Sequence, residues 1–321
     1  MTSLRAGVIG VGHLGQHHAR LYAALPDSTL IGVMDKDAGR SRTIADRYGA
    51  RSFDRLADLL SEVDLVSIAV PTSAHYAVAK VCLEAGKHVL VEKPIAVASA
   101  EAQELVELAK ARGCRLQVGH SERFNPIMQL MRPRITRPAF IECHRLGSYS
   151  ERGTDVDVVL DLMIHYLDLV LSFNPGPVEE VRAAGVPVFS PSIDIANARI
   201  QFQSGCVANL TASRVSLNKM RRLRLFQRDG YISMDFQTRQ GFIGRRLTDQ
   251  GQRPSIAIEE FKGHDGEPLK SQLESFLHSV RTGSAPVVSG EDGAAALAVA
   301  HLVLAAIDSF VQRHAEKGAT G

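Results

Sequence analysis

The chain has 321 residues, 45% hydrophobic and 22% charged, with 37 Lys plus Arg against 35 Asp plus Glu. That length fits about two domains of roughly 150 residues, and the apolar share excludes an extensively disordered chain. A net charge of +2 supplies no field to gather nucleic acid or an anionic membrane, so neither is expected as a partner.

The longest apolar run, residues 294–307, is interrupted by His301 and reads as too short to cross a bilayer. Residues 1–10 read as a strand rather than an export signal. Cys82, Cys114, Cys143 and Cys206 stand far apart, in neither metal-binding nor disulfide spacing. A cytoplasmic protein without a metal is the expectation.

Residues 5–9 read as a buried strand running into Gly10-Val11-Gly12-His13-Leu14-Gly15, with a helix over 16–24. A second strand, 30–34, ends at Asp35, 20 residues beyond Gly15. This is a βαβ unit with GxGxxG at the strand-to-helix turn. Gly10 permits the tight turn, Gly12 lets backbone approach a pyrophosphate, and Gly15 lets helix pack on strand. The helix start, with His13 and Leu14 in the turn, offers amides and a positive dipole end to phosphates. A carboxylate at Asp35 accepts hydrogen bonds from a ribose 2′-hydroxyl and repels a 2′-phosphate, so NAD is expected over NADP. Lys36 and Arg40 either blunt that repulsion or are solvated charges of a helix start.

Three more apolar strands follow. Residues 65–70 end at Pro71-Thr72 before a helix over 75–85. Residues 87–91 end at Glu92-Lys93-Pro94 before a helix over 99–112, and residues 115–119 end at His120. Unbroken apolar strands between helices imply a parallel sheet covered on both faces, with ligands beyond the carboxyl ends of its strands. Pro71, Thr72, Glu92, Lys93 and His120 therefore fall on the ligand rim.

The rhythm stops near residue 120, which predicts an NAD-binding domain over 1–120 and a substrate-binding and oligomerisation domain over 121–321. In the second, 132–138 reads as a loop and 139–146 as a strand. A long helix over 155–173 stops before Asn174-Pro175-Gly176-Pro177. Strand-like segments at 181–188, 196–202, 206–213, 223–227, 231–236 and 255–261 precede helices near 269–281 and 293–313. The pattern is an α+β domain built on a large, mostly antiparallel sheet.

On the helix 155–173, Asp157, Asp161, His165, Asp168 and Ser172 share an arc of about 80° at 3.6 residues per turn. Apart from Tyr166 the remainder is aliphatic. A surface helix carries a wide polar face; this one should be buried nearly all round, its narrow strip lining a cleft and its acids paired or used. Asp161 and His165, four apart, are placed for a carboxylate to orient an imidazole and raise its basicity. The same spacing serves a structural pair. Two acids and a histidine can also hold a divalent ion, although no second histidine accompanies them. Arg214, Lys219, Arg221, Arg222 and Arg224 form a dense basic run. Arginine forks bind a diphosphate, but Arg222-Leu223-Arg224-Leu225 also alternates as an exposed strand face does.

With these residues in view, the whole chain resembles the Gfo/Idh/MocA family of nicotinamide-dependent sugar and cyclitol oxidoreductases. The resemblance lies in the glycine loop, Pro71-Thr72-x-x-His75, Glu92-Lys93-Pro94, Asp161-x-x-x-His165-x-x-Asp168, and Ser289-Gly290-Glu291-Asp292-Gly293 before the last helix. It implies a Rossmann domain and a C-terminal domain whose open sheet assembles a homodimer or homotetramer. It implies Lys93, Asp161 and His165 as the catalytic set, with Pro71, Thr72, His75 and Glu92 at the cofactor. Gly153-Thr154-Asp155 stands where the family usually has two or three glycines. Residues 119–126 and 209–221 are similar to a narrower group that oxidises the 3-hydroxyl of UDP-N-acetylglucosamine, toward a lipid A diamino sugar. That likeness implies a nucleotide-sugar substrate, with Lys93, His120, Arg123, Asn125, Asp157, Asp161, His165 and Arg214 among its contacts. The alternatives are an inositol or free-aldose dehydrogenase, or a non-catalytic dinucleotide-sensing regulator.

Overall fold

A computed structural model describes residues 3–149, 156–228, 230–247 and 255–318, with side chains through Phe310. The chain divides into two compact units, Met1–Ser121 with Glu267–Leu297, and Glu122–Gly266 with Ala298–Gly321.

In the first unit the elements run β1 (Leu4–Ile9), α1 (Gly15–Ala24), β2 (Ser28–Met34), α2 (Ala38–Tyr48), β3 (Arg51–Ser52), α3 (Leu56–Glu62), β4 (Leu65–Ile68), α4 (Thr72–Glu84), β5 (His88–Val91), α5 (Ser99–Ala111) and β6 (Leu116–Val118). The six strands form one parallel sheet in the order β3-β2-β1-β4-β5-β6. Their apolar runs have the expected cause: Ala6, Val8, Leu65, Val66, Ile68 and Val89–Val91 are buried between helical layers. The order reverses between β1 and β4, and a doubly wound sheet binds ligands at such a switch point.

The second unit contains α6 (Pro126–Met131), β7 (Pro138–Leu146), a π-helical turn (Val159–Met163), α7 (Ile164–Ser172), β8 (Val178–Val186), β9 (Ile195–Phe202), β10 (Val207–Ser213), β11 (Met220–Gln227), β12 (Gly230–Asp235), β13 (Gln240–Leu247) and β14 (Ser255–Lys262). Its eight-stranded sheet runs β14-β13-β12-β11-β7-β10-β9-β8 and is antiparallel except where β7 meets β10. The expected α/β plus α+β fold is thus observed. The sequence reading named no element for α2, β3, α3 or α6, and in the large sheet it lacked strand β13. Gly241, Gly244, Arg245 and Arg246 lower its strand propensity, and pairing with β12 and β14 overrides that.

The chain then forms α8 (Pro268–Thr282) and α9 (Gly290–Gly318). The reading above gave everything after residue 120 to the second domain. Instead α8 inserts Leu273, Phe276 and Leu277 among Ala6, Val8, Tyr22 and Leu30 of the first core. Arg20–Glu267 at 2.5 Å and Arg281–Asp27 at 2.7 Å fix its two ends. At the start of α9, Ser289 donates from its amide and hydroxyl to Asp292 Oδ2, while Gly290 and Gly293 leave no Cβ to strike Leu116 and Val118 of β6. That accounts for the Ser-Gly-x-Asp-Gly run.

The apolar stretch of this helix is longer than expected: Gly290–Phe310 spans 21 residues at mean hydropathy 1.8, enough by length and composition to cross a membrane. Its buried residues, Ala296, Leu297, Ala300, Val303 and Ile307, repeat at three- and four-residue intervals along one face, the pattern of a core helix.

Candidate active site

In the first unit the glycine loop fits a dinucleotide on steric grounds. Gly10 has φ +82°, and a Cβ there would lie 2.7 Å from the Ala69 carbonyl oxygen. A Cβ on Gly15 would lie 1.8 Å from the Gly10 carbonyl oxygen. Gly12 is different, since a Cβ would meet only an Arg40 nitrogen at 3.9 Å, so this backbone is open to close approach. His13 and Leu14 are exposed, and α1 begins without a side-chain cap. Asp35 sits beside the loop, accepting from the Val11 amide at 2.8 Å and the Asp37 amide at 2.9 Å. Arg40 lies 3.5 Å from Asp35 and 3.4 Å from Asp37, so it is ion-paired rather than merely solvated, whereas Lys36 is exposed. Pro71 and Thr72 start α4 directly after β4.

Two residues expected at the cofactor turn inward. His75 is buried, its Nδ1 2.7 Å from the Pro94 carbonyl and its Nε2 2.9 Å from that of Val70. Burial lowers its pKa, and the two carbonyls only partly offset this. Glu92 is also buried, with Oε1 3.1 Å from Nε2 of His18 on α1. Burial pushes its carboxyl upward, but the hydrogen bond and charge of His18, with Lys93 and His75 nearby, hold it below the usual carboxylate range. Gly119 makes the room, since a Cβ there would lie 2.6 Å from Glu92 Oε2. Lys93 is half-buried, and its peptide bond to Pro94 is cis. His120, expected on the ligand rim, has no exposed surface.

In the second unit the helix behind the Asp-His pattern is buried nearly all round, as its composition requires. The expected start at Asp155 lies outside the described residues, as do Gly153 and Thr154. The single α-helix is corrected by the π turn, in which the Ile164 amide reaches back to the Val159 carbonyl. Such wide turns recur at functional sites. The polar strip is not uniform. Asp157 accepts from the Ile193 amide at 2.9 Å. Asp168 forms a two-pronged pair with Arg123, at 2.8 Å from Nε and 2.7 Å from Nη2. Between these anchored ends lie the half-buried Asp161 and the buried His165, four residues apart on one side of the helix.

Several residues expected to contact substrate also hold protein groups in place. Arg123 is committed to Asp168. Asn125 caps α6 and donates to the Phe236 carbonyl at 3.1 Å. Arg214 is buried, donating to Asp194 at 2.8 Å and to the carbonyls of Val156 at 2.9 Å and Ile193 at 3.2 Å. Asp194 also accepts from the amides of Val188, Phe189 and Ser190 and from the Ser190 hydroxyl. Burial alone would raise its pKa; these donors hold it well below the usual range. Three of the other four cations lie near acids as well: Arg224 to Glu142 at 3.0 Å, Arg222 to Asp235 at 3.8 Å, Arg221 to Glu122 at 3.9 Å, while Lys219 is exposed. Leu223 and Leu225 are fully buried, so the strand-face reading of this run holds.

Sequence reasoning missed His18, Glu122 and Asp194. His18 left a trace, since it falls with Gly15, Ala19 and Tyr22 on the apolar face of α1. Glu122, which pairs with Arg145 at 2.5 Å, and Asp194 are lone acids whose partners are remote in sequence.

Residues 4–120 match the profile of an oxidoreductase family with an NAD-binding Rossmann fold, and residues 133–233 match the Gfo/Idh/MocA C-terminal domain. The chain is 39% identical over 317 residues to the UDP-N-acetylglucosamine 3-dehydrogenase of Acidithiobacillus ferrooxidans, covering 98% of this chain and all of that one. A solved structure of that enzyme superposes with TM-score 0.92 at 38% identity, covering 97% of this chain and 100% of the other. The myo-inositol 2-dehydrogenase of Thermotoga maritima is 27% identical over 314 residues, 92% of this chain and 93% of its own.

Proposed function

The chain belongs to the Gfo/Idh/MocA oxidoreductases, and from that premise we propose that it oxidises the 3-hydroxyl of UDP-N-acetylglucosamine to a ketone, with NAD as the acceptor. The observation that carries this reading is the end-to-end similarity to the Acidithiobacillus enzyme. The open backbone at Gly12 and the carboxylate of Asp35 would hold the dinucleotide at its pyrophosphate and adenosine ribose. When bound, NAD supplies the electron-poor nicotinamide carbon that takes a hydride.

The protein's own part is proton and charge management. His165 takes the proton from the hydroxyl, and Asp161 orients the ring and stabilises its protonated form. Lys93 hydrogen-bonds the same oxygen and stabilises the negative charge that develops there. We assign the protein to the cytoplasm and infer self-association through the large sheet. The support is the edge strand β14, which leaves Ile256 73% and Ile258 65% exposed.

A second reading, an inositol-type dehydrogenase, gains weight from the acid-paired arginines, because Arg214 in particular is not left over for a diphosphate. Following NADH formation with UDP-N-acetylglucosamine and, separately, with myo-inositol decides between them. Turnover with inositol alone overturns the nucleotide-sugar assignment. NAD binding without NADH from any polyol or nucleotide sugar makes the protein a sensor rather than an enzyme.

A further inference from the structure

A lysine side chain has four rotatable bonds, and fixing it costs rotamer entropy. A catalytic ammonium therefore depends on how firmly its own backbone is held. In the first unit both sequence neighbours of Lys93 are gripped by buried histidines from different helices. Glu92, before it, has its amide bonded to the Ile68 carbonyl at 2.9 Å and its carboxylate 3.1 Å from His18 of α1. Pro94, after it, has its carbonyl 2.7 Å from His75 of α4. Across residues 91–96 every residue is buried except Lys93.

Stability alone does not account for this arrangement. Replacing a buried ion pair by apolar residues is often neutral or stabilising, and His18 lies on an apolar helix face where leucine would serve. The Glu92 carboxylate further requires that residue 119 lack a Cβ.

From this bracket we infer that His18 and His75 are positioning residues that hold the Glu92-Lys93-Pro94 turn so that the Lys93 ammonium meets the reacting oxygen. The inference rests on the proposed catalytic role of Lys93. Neither histidine touches substrate in this scheme; each acts through the lysine.

A double-mutant cycle tests it. His18→Gln and His75→Gln are each made with Lys93 present and with Lys93→Met, and kcat, the KM for NAD and Tm are measured on the full chain. With Lys93 present, each glutamine variant should lower kcat by about 10–100-fold, the scale of a displacement near 1 Å, with the KM for NAD changed far less. With Lys93→Met the same substitutions should lower kcat by less than about twofold, because residues acting as one unit are not additive. Equal losses in both backgrounds, or full turnover by folded glutamine variants, overturn the positioning role. If a histidine variant fails to fold, Glu92→Gln, which keeps an oxygen facing His18, is read in the same cycle by the same criterion. A Lys93→Met enzyme of normal turnover overturns the catalytic reading of the lysine itself. Additive losses in an impaired Lys93→Met enzyme overturn the clamp alone.

Discussion

The two units build their functional edges by opposite means. In the first, position is set by what is missing: glycines at 10, 15 and 119 let main chain and carboxylate come closer than any side chain allows, and Gly12 leaves its backbone open. In the second, position is set by paired charge: Arg123–Asp168, Arg145–Glu122 and Arg214–Asp194 tie the helix and its surrounding loops to the sheet. Steric absence is marked in the sequence by the glycine itself, even where the group it admits is remote. Charge pairing joins residues 20 to 45 positions apart. The first device should therefore fail by collision and the second by leaving a buried ion unmatched.

The largest effect bears on what both devices support. Lys93→Ala and His165→Asn should each lower turnover by about 10²–10⁴-fold, the usual contribution of a positioned acid or base, while the folded state persists. Steady-state rates with a Tm for each variant check this; near-normal turnover of Lys93→Ala at saturating substrate would remove the lysine from the mechanism.

Next comes the charge device. Asp194→Ala leaves the Arg214 guanidinium buried without its carboxylate and should cost about 3–5 kcal/mol of stability, read from denaturant unfolding. Its pH dependence has a definite sign. Because the folded-state pKa of Asp194 lies below the ordinary carboxylate value, its contribution is complete above about pH 4 and is lost as pH falls toward the depressed value. The stability gap between wild type and Asp194→Asn should be constant near neutrality and narrow in acid. A gap that widens there would show that the carboxylate is not the stabilising form.

The steric device splits by position. Gly15→Ala drives a methyl into the Gly10 carbonyl and should destabilise by about 1–3 kcal/mol or more. Gly12→Ala meets nothing closer than 3.9 Å and should leave Tm within about a degree while weakening NAD binding. Calorimetry of both variants with and without NAD separates these outcomes; equal Tm losses would mean that Gly12 is a packing glycine too. Of similar size to the Gly15 effect is Asp35→Ser, which should weaken NAD by about 1.5–3 kcal/mol, the worth of a hydrogen bond to a charged group. NADP should be weakened less, as titration with both dinucleotides would reveal.

The same contrast governs what could be read from the sequence. The strand, glycine loop, helix and Asp35 lie within 35 consecutive residues, and their spacing alone specifies the nucleotide-binding turn. The near-total burial of the helix bearing Asp161 and His165 was equally legible, since ten aliphatic residues leave it no wide polar face. What could not be read were long-range partners. Nothing near Arg214 announces Asp194, and nothing near Arg123 announces Asp168, so both arginines looked available to a substrate. The orientation of His75 was unreadable for a related reason: which way its ring turns depends on the Pro94 carbonyl 19 residues away.

The insertion of α8 bears on how the protein is made. Synthesis delivers the first 266 residues with both cores unfinished, because the first still lacks Glu267–Leu297 and the second lacks everything from Ala298 onward. The usual order, in which an N-terminal domain folds while the rest is translated, is delayed here, because the first core keeps the apolar seat of Leu273, Phe276 and Leu277 uncovered until α8 has been made.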